Sequence, residues 1–140
     1  MRDLHNNIDV RRAISPASVS DNTAQVSEII DTQGYGSLEF VIAAGSLADA
    51  DATFTALVEH GSASNLSDAA AVDDIQLLGT EAQASFTYAD DNKVFKIGYT
   101  GGKRYVRLTV TPANNASAAL LSAVAILGNP TLAPTANPPA

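Results

Sequence analysis

The chain has 140 residues, 46% of them hydrophobic, which is enough to bury the core of one domain and excludes a fully disordered protein. It contains no cysteine, which excludes disulfide bonds and thiolate metal sites. The longest largely apolar stretch, residues 116–127, is too short to cross a bilayer. We expect no membrane partner and no secretory signal, since no basic segment followed by an apolar one opens the sequence.

Fifteen acidic and eight basic residues give a formal net charge of −7 at pH 7, and the two signs are segregated along the chain. Residues 13–92 hold 13 of the acidic residues and neither lysine nor arginine. Five of the basic residues fall within residues 93–107, and residues 108–140 carry no charge. This distribution indicates an acidic body, one basic strand region and a neutral tail.

The first sixteen residues, MRDLHNNIDVRRAISP, place two large apolar side chains among polar groups. We predict an extended N-terminal arm over residues 1–16. Its partner contacts would be made by Leu4, Ile8, Arg11 and Arg12. The alternative is plain disorder, which is common at chain termini.

Alternation of apolar and polar residues with period 2 predicts half-buried strands along the middle of the chain. In residues 37–44, for example, Leu38, Phe40 and Ile42 share one face. Similar patterns cover residues 23–30, 52–60 and 83–88. Turn-forming residues separate these runs at short intervals, which is typical of a sandwich or a barrel.

Residues 94–99 and 103–111 alternate in the same way on either side of Thr100, Gly101 and Gly102. Glycine can adopt the positive φ that a tight hairpin needs. We therefore predict that these two strands form a hairpin.

The predicted hairpin carries Lys103, Arg104 and Arg107, in a chain that is otherwise short of positive charge. A nucleic acid is a poor candidate partner, because a protein with a pI of about 4.5 repels a polyanion at long range. Carboxylates of a neighbouring copy of the chain fit better. We predict that these three side chains contact such carboxylates.

Residues 116–127 are apolar on both faces, as in a central or interface strand, although their alanine content also allows a helix. With the other runs, they complete the pattern of an all-β protein. We predict a single-domain antiparallel β-sandwich or barrel over residues 17–127, with extended arms at both ends.

The last thirteen residues, GNPTLAPTANPPA, contain four prolines. Proline removes backbone donors and favours extended conformations. We predict a C-terminal arm over residues 128–140 that contacts a partner through Pro130, Leu132 and Pro134. As at the other end, the alternative is a disordered terminus.

No pattern in the sequence points to catalysis. The two histidines, His5 and His60, do not lie in a nucleophile motif, and a zinc site has too few ligands. Paired acids such as Asp90 and Asp91 resemble turn residues more than a calcium loop. We expect no enzymatic activity, no metal and no cofactor.

Three stretches together resemble small head decoration proteins, also called cement proteins, of tailed bacteriophages. They are RDLHNNIDVRRAISP, IGYTGGKRYVRLTV and AVAILGNPTLAP. The resemblance implies a structural virion protein on the outer surface of an icosahedral capsid. It would bind the major capsid protein, often as a homotrimer, and stabilise contacts between capsid subunits.

Two alternatives stay open at this stage. One is a tail or neck component of the virion. The other is a β-sandwich module that binds carbohydrate or a host surface, although the exposed tryptophan typical of such modules is missing.

Overall fold

Eleven strands and four short helical segments make up the part of the chain that the computed structural model describes, residues 2–138. The strands are β1 (Ile8–Val19), β2 (Gln25–Val26), β3 (Ile30–Asp31), β4 (Tyr35–Leu47), β5 (Thr53–Gly61), β6 (Ala70–Ala71), β7 (Leu77–Leu78), β8 (Phe86–Thr87), β9 (Val94–Tyr99), β10 (Tyr105–Ala113) and β11 (Ala119–Pro130). The helical segments are α1 (Glu81–Ala84) and 3₁₀ turns at His5–Asn7, Asp74–Gln76 and Tyr88–Asp90.

The strands form two antiparallel sheets packed as a β-sandwich. Sheet A has the strand order β1-β11-β4-β9-β7. Sheet B has the order β2-β10-β5-β6, with β3 also paired to β10 and β8 also paired to β5. The predicted fold class, an all-β antiparallel sandwich, is confirmed.

The core lies between the sheets and is built by the inward residue of each alternating pair. Phe40 and Ile42 of β4 are fully buried, as are Val106 and Leu108 of β10. The period-2 pattern therefore predicted these inward faces correctly.

Strand β11 settles the ambiguity between strand and helix at residues 116–127. It pairs with β1 on one edge and with β4 on the other, so it lies inside sheet A. Leu121 and Leu127 point into the core, whereas Leu120 and Val124 are 46% and 42% exposed on the other side. Its two apolar faces thus serve the core and the outer surface of the sheet.

The predicted hairpin at residues 94–111 is wrong. Strand β9 pairs with β4 in sheet A and β10 pairs with β5 in sheet B, so the segment between them crosses from one sheet to the other. The Tyr99 hydroxyl fixes this crossing, because it accepts from the Lys103 backbone N–H at 3.0 Å and lies 2.8 Å from His60 Nδ1. A Cβ on Gly101 would lie 2.5 Å from that hydroxyl oxygen, which explains the glycine.

The predicted N-terminal arm over residues 1–16 is also wrong in extent. Strand β1 begins at Ile8 and forms the edge of sheet A beside β11. Register shifts after Arg12 and after Ile14 break the simple alternation there, which concealed the strand in the sequence. Likewise β11 extends to Pro130, so residues 128–130 belong to the sandwich and not to an arm.

Two predicted strands are shorter than expected. The run at residues 23–30 forms only the short strands β2 and β3. The run at 83–88 forms α1, β8 and a 3₁₀ turn, because Thr80 and Gln83 make a capping box that starts a helical turn.

Three phenylalanine rings close one side of the sandwich. Phe86 of β8 stacks on Phe54 of sheet B at a centroid distance of 4.9 Å and on Phe95 of sheet A at 5.3 Å. The rings are nearly parallel, and Phe86 is 3% exposed. The stack therefore connects the two sheets directly.

Candidate binding surfaces

The outer face of sheet A carries aliphatic side chains with no covering element among the described residues. We call this the apolar face; its members are Val10, Val41, Ala43, Val94, Leu120 and Val124. They come from four strands, and Val124 lies directly opposite Val41 in the register of the sheet. Exposure reaches 64% at Val94.

Charged side chains flank the centre of the apolar face. Arg12 lies opposite Val124 on one side, and Lys96 lies opposite Val41 on the other. A contiguous apolar surface with polar surroundings is typical of a site that binds another macromolecule. The apolar face is therefore the first candidate binding surface.

The two terminal segments, residues 2–7 and 131–138, lie side by side at one end of the sandwich. The Thr135 backbone N–H donates to the Asn6 carbonyl at 3.0 Å, and the Thr135 hydroxyl donates to the Ile8 carbonyl. The C-terminal segment is thus tied to its own chain near the start of β1.

Among the predicted contact residues of these segments, Leu132 is 83% exposed and Leu4 is 57% exposed. Pro134 is exposed, whereas Ile8 and Pro130 are half-buried. Leu132 and Leu4 therefore remain accessible to a partner although both segments contact the sandwich.

Two arginines of the predicted basic hairpin have carboxylate partners within the chain. Arg104 makes two hydrogen bonds of 2.8 Å to Asp31, and Arg107 donates to Glu59 at 3.1 Å. The hydrogen bond from Arg104 lowers the pKa of Asp31. The Arg107 pair joins the neighbouring strands β10 and β5, and the Arg104 pair lies just before β10, beside β3.

The N-terminal arginines are paired as well. Arg11 contacts the buried Asp9 at 2.9 Å, and Asp9 also accepts from the Tyr35 hydroxyl at 3.0 Å. Arg12 contacts Glu28 at 3.0 Å.

All four arginines therefore have a carboxylate partner within the chain. Because they are already neutralised, positive charge no longer supports the predicted contacts of Arg11, Arg12, Arg104 and Arg107 with a neighbouring chain. Those contacts, and that of the exposed Lys103, stay predictions.

A groove of about 410 Å³ lies at the end of the outer face of sheet A, beside the apolar face. Its lining includes Ile8, Tyr35, Ser37, Glu39, Leu78 and Thr100. Side chains crowd the backbone at two glycines beside it: a Cβ on Gly98 would lie 3.0 Å from Leu78 Cβ and 3.1 Å from Glu39 Oε2, and a Cβ on Gly128 would lie 2.6 Å from Ser37 Oγ.

Glu39 is the acidic residue of this groove. Its Oε2 atom is buried and has no hydrogen-bond partner in the protein. Burial raises the pKa of the Glu39 carboxyl, and the charge of Lys96 opposes that rise only in part. An unpaired buried acceptor costs stability.

We expect Glu39→Gln to stabilise the protein at neutral pH. Because the folded-state pKa of Glu39 is raised, its ionised form penalises the folded protein, and the penalty disappears as pH falls through that pKa to below the usual value of 4.5. Urea unfolding of both proteins at neutral pH and below pH 4.5 measures the difference.

Asp68→Asn is the matched control, because removing this carboxylate should change the stability at neutral pH in the opposite direction. The Ser62 and Ala63 backbone N–H groups lower the pKa of Asp68, so this variant should be less stable than the wild type at neutral pH. A stability difference for Glu39→Gln that does not shrink on acidification would contradict the explanation.

The paired acids considered as calcium ligands brace loops instead. Asp49 accepts from the backbone N–H groups of Ala116 and Asp51, at 2.7 and 3.0 Å. Asp90 accepts from the Thr87 N–H and from Lys93 Nζ. Within residues 2–138 no group of three or more His, Asp or Glu side chains is placed to hold a metal ion.

No helix within residues 2–138 is long and apolar enough to cross a membrane.

No protein-family model matches the chain, and no curated protein matches it. Among solved structures, the chain is similar to the CBM22-1–GH10 modules of a Clostridium thermocellum xylanase, with TM-score 0.48 and 15% identity over 89% of this chain and 22% of that one. It is similar to the SPBc2 prophage-derived protein YomS, with TM-score 0.48 and 9% identity over 85% and 94%. It is also similar to the xylan-binding module CBM15, with TM-score 0.46 and 10% identity over 93% and 95%. At these values the likenesses do not indicate a shared ligand.

Proposed function

We propose that this chain is a non-catalytic decoration protein of a virus particle. It binds the outer surface of an icosahedral capsid, with the apolar face of sheet A against the major capsid protein. The observation that carries the proposal is the apolar face itself, where four valine and leucine side chains are between 42% and 64% exposed. The sequence resemblance to phage decoration proteins is the reason for proposing the major capsid protein as the partner.

The energetics of the apolar face suit this function. Fully burying an exposed valine or leucine side chain contributes about 1.5–3 kcal/mol, so covering side chains that are 42–64% exposed contributes about half of that each. Several such side chains on one rigid sheet give a stable contact, and binding to the assembled shell alone stabilises that state by mass action. A small protein can therefore reinforce a shell without any catalytic group.

The terminal segments would add a second contact. Leu132 and Leu4 project from the end of the sandwich where the two segments meet, and they can reach a neighbouring subunit in the repeating lattice of a capsid. Many weak contacts repeated over a trimer would act together through avidity.

Deleting residues 131–140 should weaken retention on particles while changing the melting temperature of the isolated protein little. The reason is that Leu132 is almost fully exposed and contributes little to the core, whereas β11 stays intact up to Pro130. Loss of one leucine contact corresponds to about a tenfold or greater weakening. Co-sedimentation with capsids that lack the protein measures retention.

Leu132→Ser is the finer version of the same test, because it keeps the hydrogen bonds of Thr135. It should weaken retention in the same direction as the deletion. Equal retention of wild type and both variants would remove the tail from the proposed contact.

Mass spectrometry of purified virus particles tests the proposed placement. A decoration protein should be present in a copy number comparable to that of the major capsid protein. A handful of copies would indicate a tail or neck component instead, and absence from the particle would overturn the proposal.

A second candidate function is carbohydrate binding. The observation that favours it is the groove around Glu39, which has the volume of a small-molecule site. The described aromatic residues offer no exposed platform there, since Tyr99 is 5% exposed and the Tyr35 hydroxyl is bonded to Asp9.

A further inference from the structure

We infer that residues 73–75, which we call the knob, dock on a second copy of this chain. Ile75 enters the groove around Glu39 of that copy. The carboxylates of Asp73 and Asp74 meet its Lys103. The inference goes beyond the proposed function and does not depend on it, because the knob and the groove lie outside the apolar face.

The aliphatic side chain of the knob is the first argument. Ile75 is the most exposed large hydrophobic residue that the structure describes, at 89%. It lies in the 3₁₀ turn Asp74–Gln76, and Leu77 directly after the turn is buried. The Gln76 carbonyl accepts from the Thr100 backbone N–H at 2.8 Å. The isoleucine is therefore held out into solvent by a fixed turn, which lowers the entropy lost on docking.

The groove lies directly beside the knob. Thr100, which bonds to the turn, and Leu78, which follows it, both belong to the lining. With Ile8 and Ile126, Leu78 gives the groove an aliphatic lining that suits an aliphatic side chain. Glu39 is the one acidic residue of that lining, so the aspartates of a docked knob stay outside the groove.

Charge complementarity selects a second copy as the occupant. Within residues 2–138, Asp73, Asp74 and Lys103 form no ion pair, although all three are exposed. Lys103 lies two positions beyond Gly101 of the groove lining, within reach of the aspartates of a knob seated there. Opposite charges on the two surfaces favour the contact and fix its orientation. The contact gives the sequence-based prediction for Lys103 its carboxylates.

The position of the two surfaces limits the assembly. The knob and the groove lie at the same end of the sandwich, so each copy can give its knob and receive another there. This placement favours a small closed ring of copies, such as a two-fold dimer in which the exchange is reciprocal. One aliphatic anchor and a few exposed ion pairs predict a weak contact, with a dissociation constant of the order of 0.1 mM.

The test is sedimentation equilibrium of the full-length protein at neutral pH and low salt, at protein concentrations up to about 1 mM. We expect the average mass of the wild type to rise with concentration from that of the monomer. Ile75→Ser should weaken this association at least about tenfold, because it removes the aliphatic anchor. Val26→Ser is the matched control, since Val26 is 54% exposed on β2 of sheet B and should not affect association.

A charge exchange tests the pairing itself. Lys103→Glu, and separately Asp73→Lys with Asp74→Lys, should each weaken association about fivefold, because like charges then meet across the contact. A mixture of these two variants should associate more strongly than either alone, because each knob then meets the opposite charge. Lys93→Glu is the matched control, since Lys93 precedes β9 at the end of that strand away from the groove.

Three results overturn the inference. The first is a wild type that stays monomeric over the whole concentration range, even if Ile75→Ser then reduces retention on capsids; the knob would in that case bind the shell. The second is an Ile75→Ser variant that associates like the wild type. The third is a mixture of the charge variants that associates no better than each variant alone. All three leave capsid binding through the apolar face untouched.

Discussion

Replacing Phe86 by alanine is expected to lower the free energy of unfolding by about 3–5 kcal/mol, the usual cost of deleting a buried aromatic ring. The variant loses the stack with Phe54 and the stack with Phe95 at once. Because these rings belong to opposite sheets, the cavity opens at the point where the sheets are joined. Urea unfolding at neutral pH, monitored by circular dichroism, measures the change.

Val94→Ala is the matched control for this variant. Val94 precedes Phe95 on β9, but it lies on the outer face and is 64% exposed, so its truncation should change stability by less than about 0.5 kcal/mol. A loss below about 1 kcal/mol for Phe86→Ala would mean that the three-ring stack does not hold the sheets together.

The double variant Val41→Glu with Val124→Glu is expected to reduce binding to capsids by at least about 100-fold. Each new carboxylate would lose its water in the contact, which costs several kcal/mol, and each 1.4 kcal/mol corresponds to a factor of ten. The new carboxylates lie directly opposite each other and between Lys96 and Arg12, so circular dichroism should first establish that the double variant folds. Co-sedimentation with undecorated capsids measures binding.

The chain offers a closely matched control on the opposite face of the sandwich. Thr55 and Thr111 lie directly opposite each other in sheet B, just as Val41 and Val124 lie opposite each other in sheet A. Both threonines are exposed. Thr55→Glu with Thr111→Glu adds the same two charges and should leave binding unchanged. Equal loss in both double variants would attribute the effect to net charge, and no loss in either would remove the apolar face from the contact.

The sequence predicted the inward faces of the sandwich because burial imposes period 2 on each strand. The outer face of β4 carried a signal as well, since Val41 and Ala43 are apolar on the side away from Phe40 and Ile42. One strand alone does not show whether its outer side is covered by another element. The apolar face therefore became apparent once β1, β11, β4 and β9 were placed side by side.

The failed predictions share a physical cause, which is that partners distant in sequence decide them. Alternation around glycines fits a hairpin as well as a crossing between sheets, and only pairing with β4 and β5 distinguishes the two. Arg104 looked unpaired because its partner Asp31 lies 73 positions away. The unpaired acceptor of Glu39 is likewise a property of the folded neighbourhood, not of the local sequence.

The most direct test of the central claim is a cryo-electron microscopy map of the decorated particle at a resolution that orients the sandwich. The proposed function predicts copies on the outer surface of the shell, with sheet A towards the major capsid protein and Val41 and Val124 buried in the contact. Sheet A facing solvent, with sheet B against the shell, would contradict it, as would density for this protein only at the tail or neck.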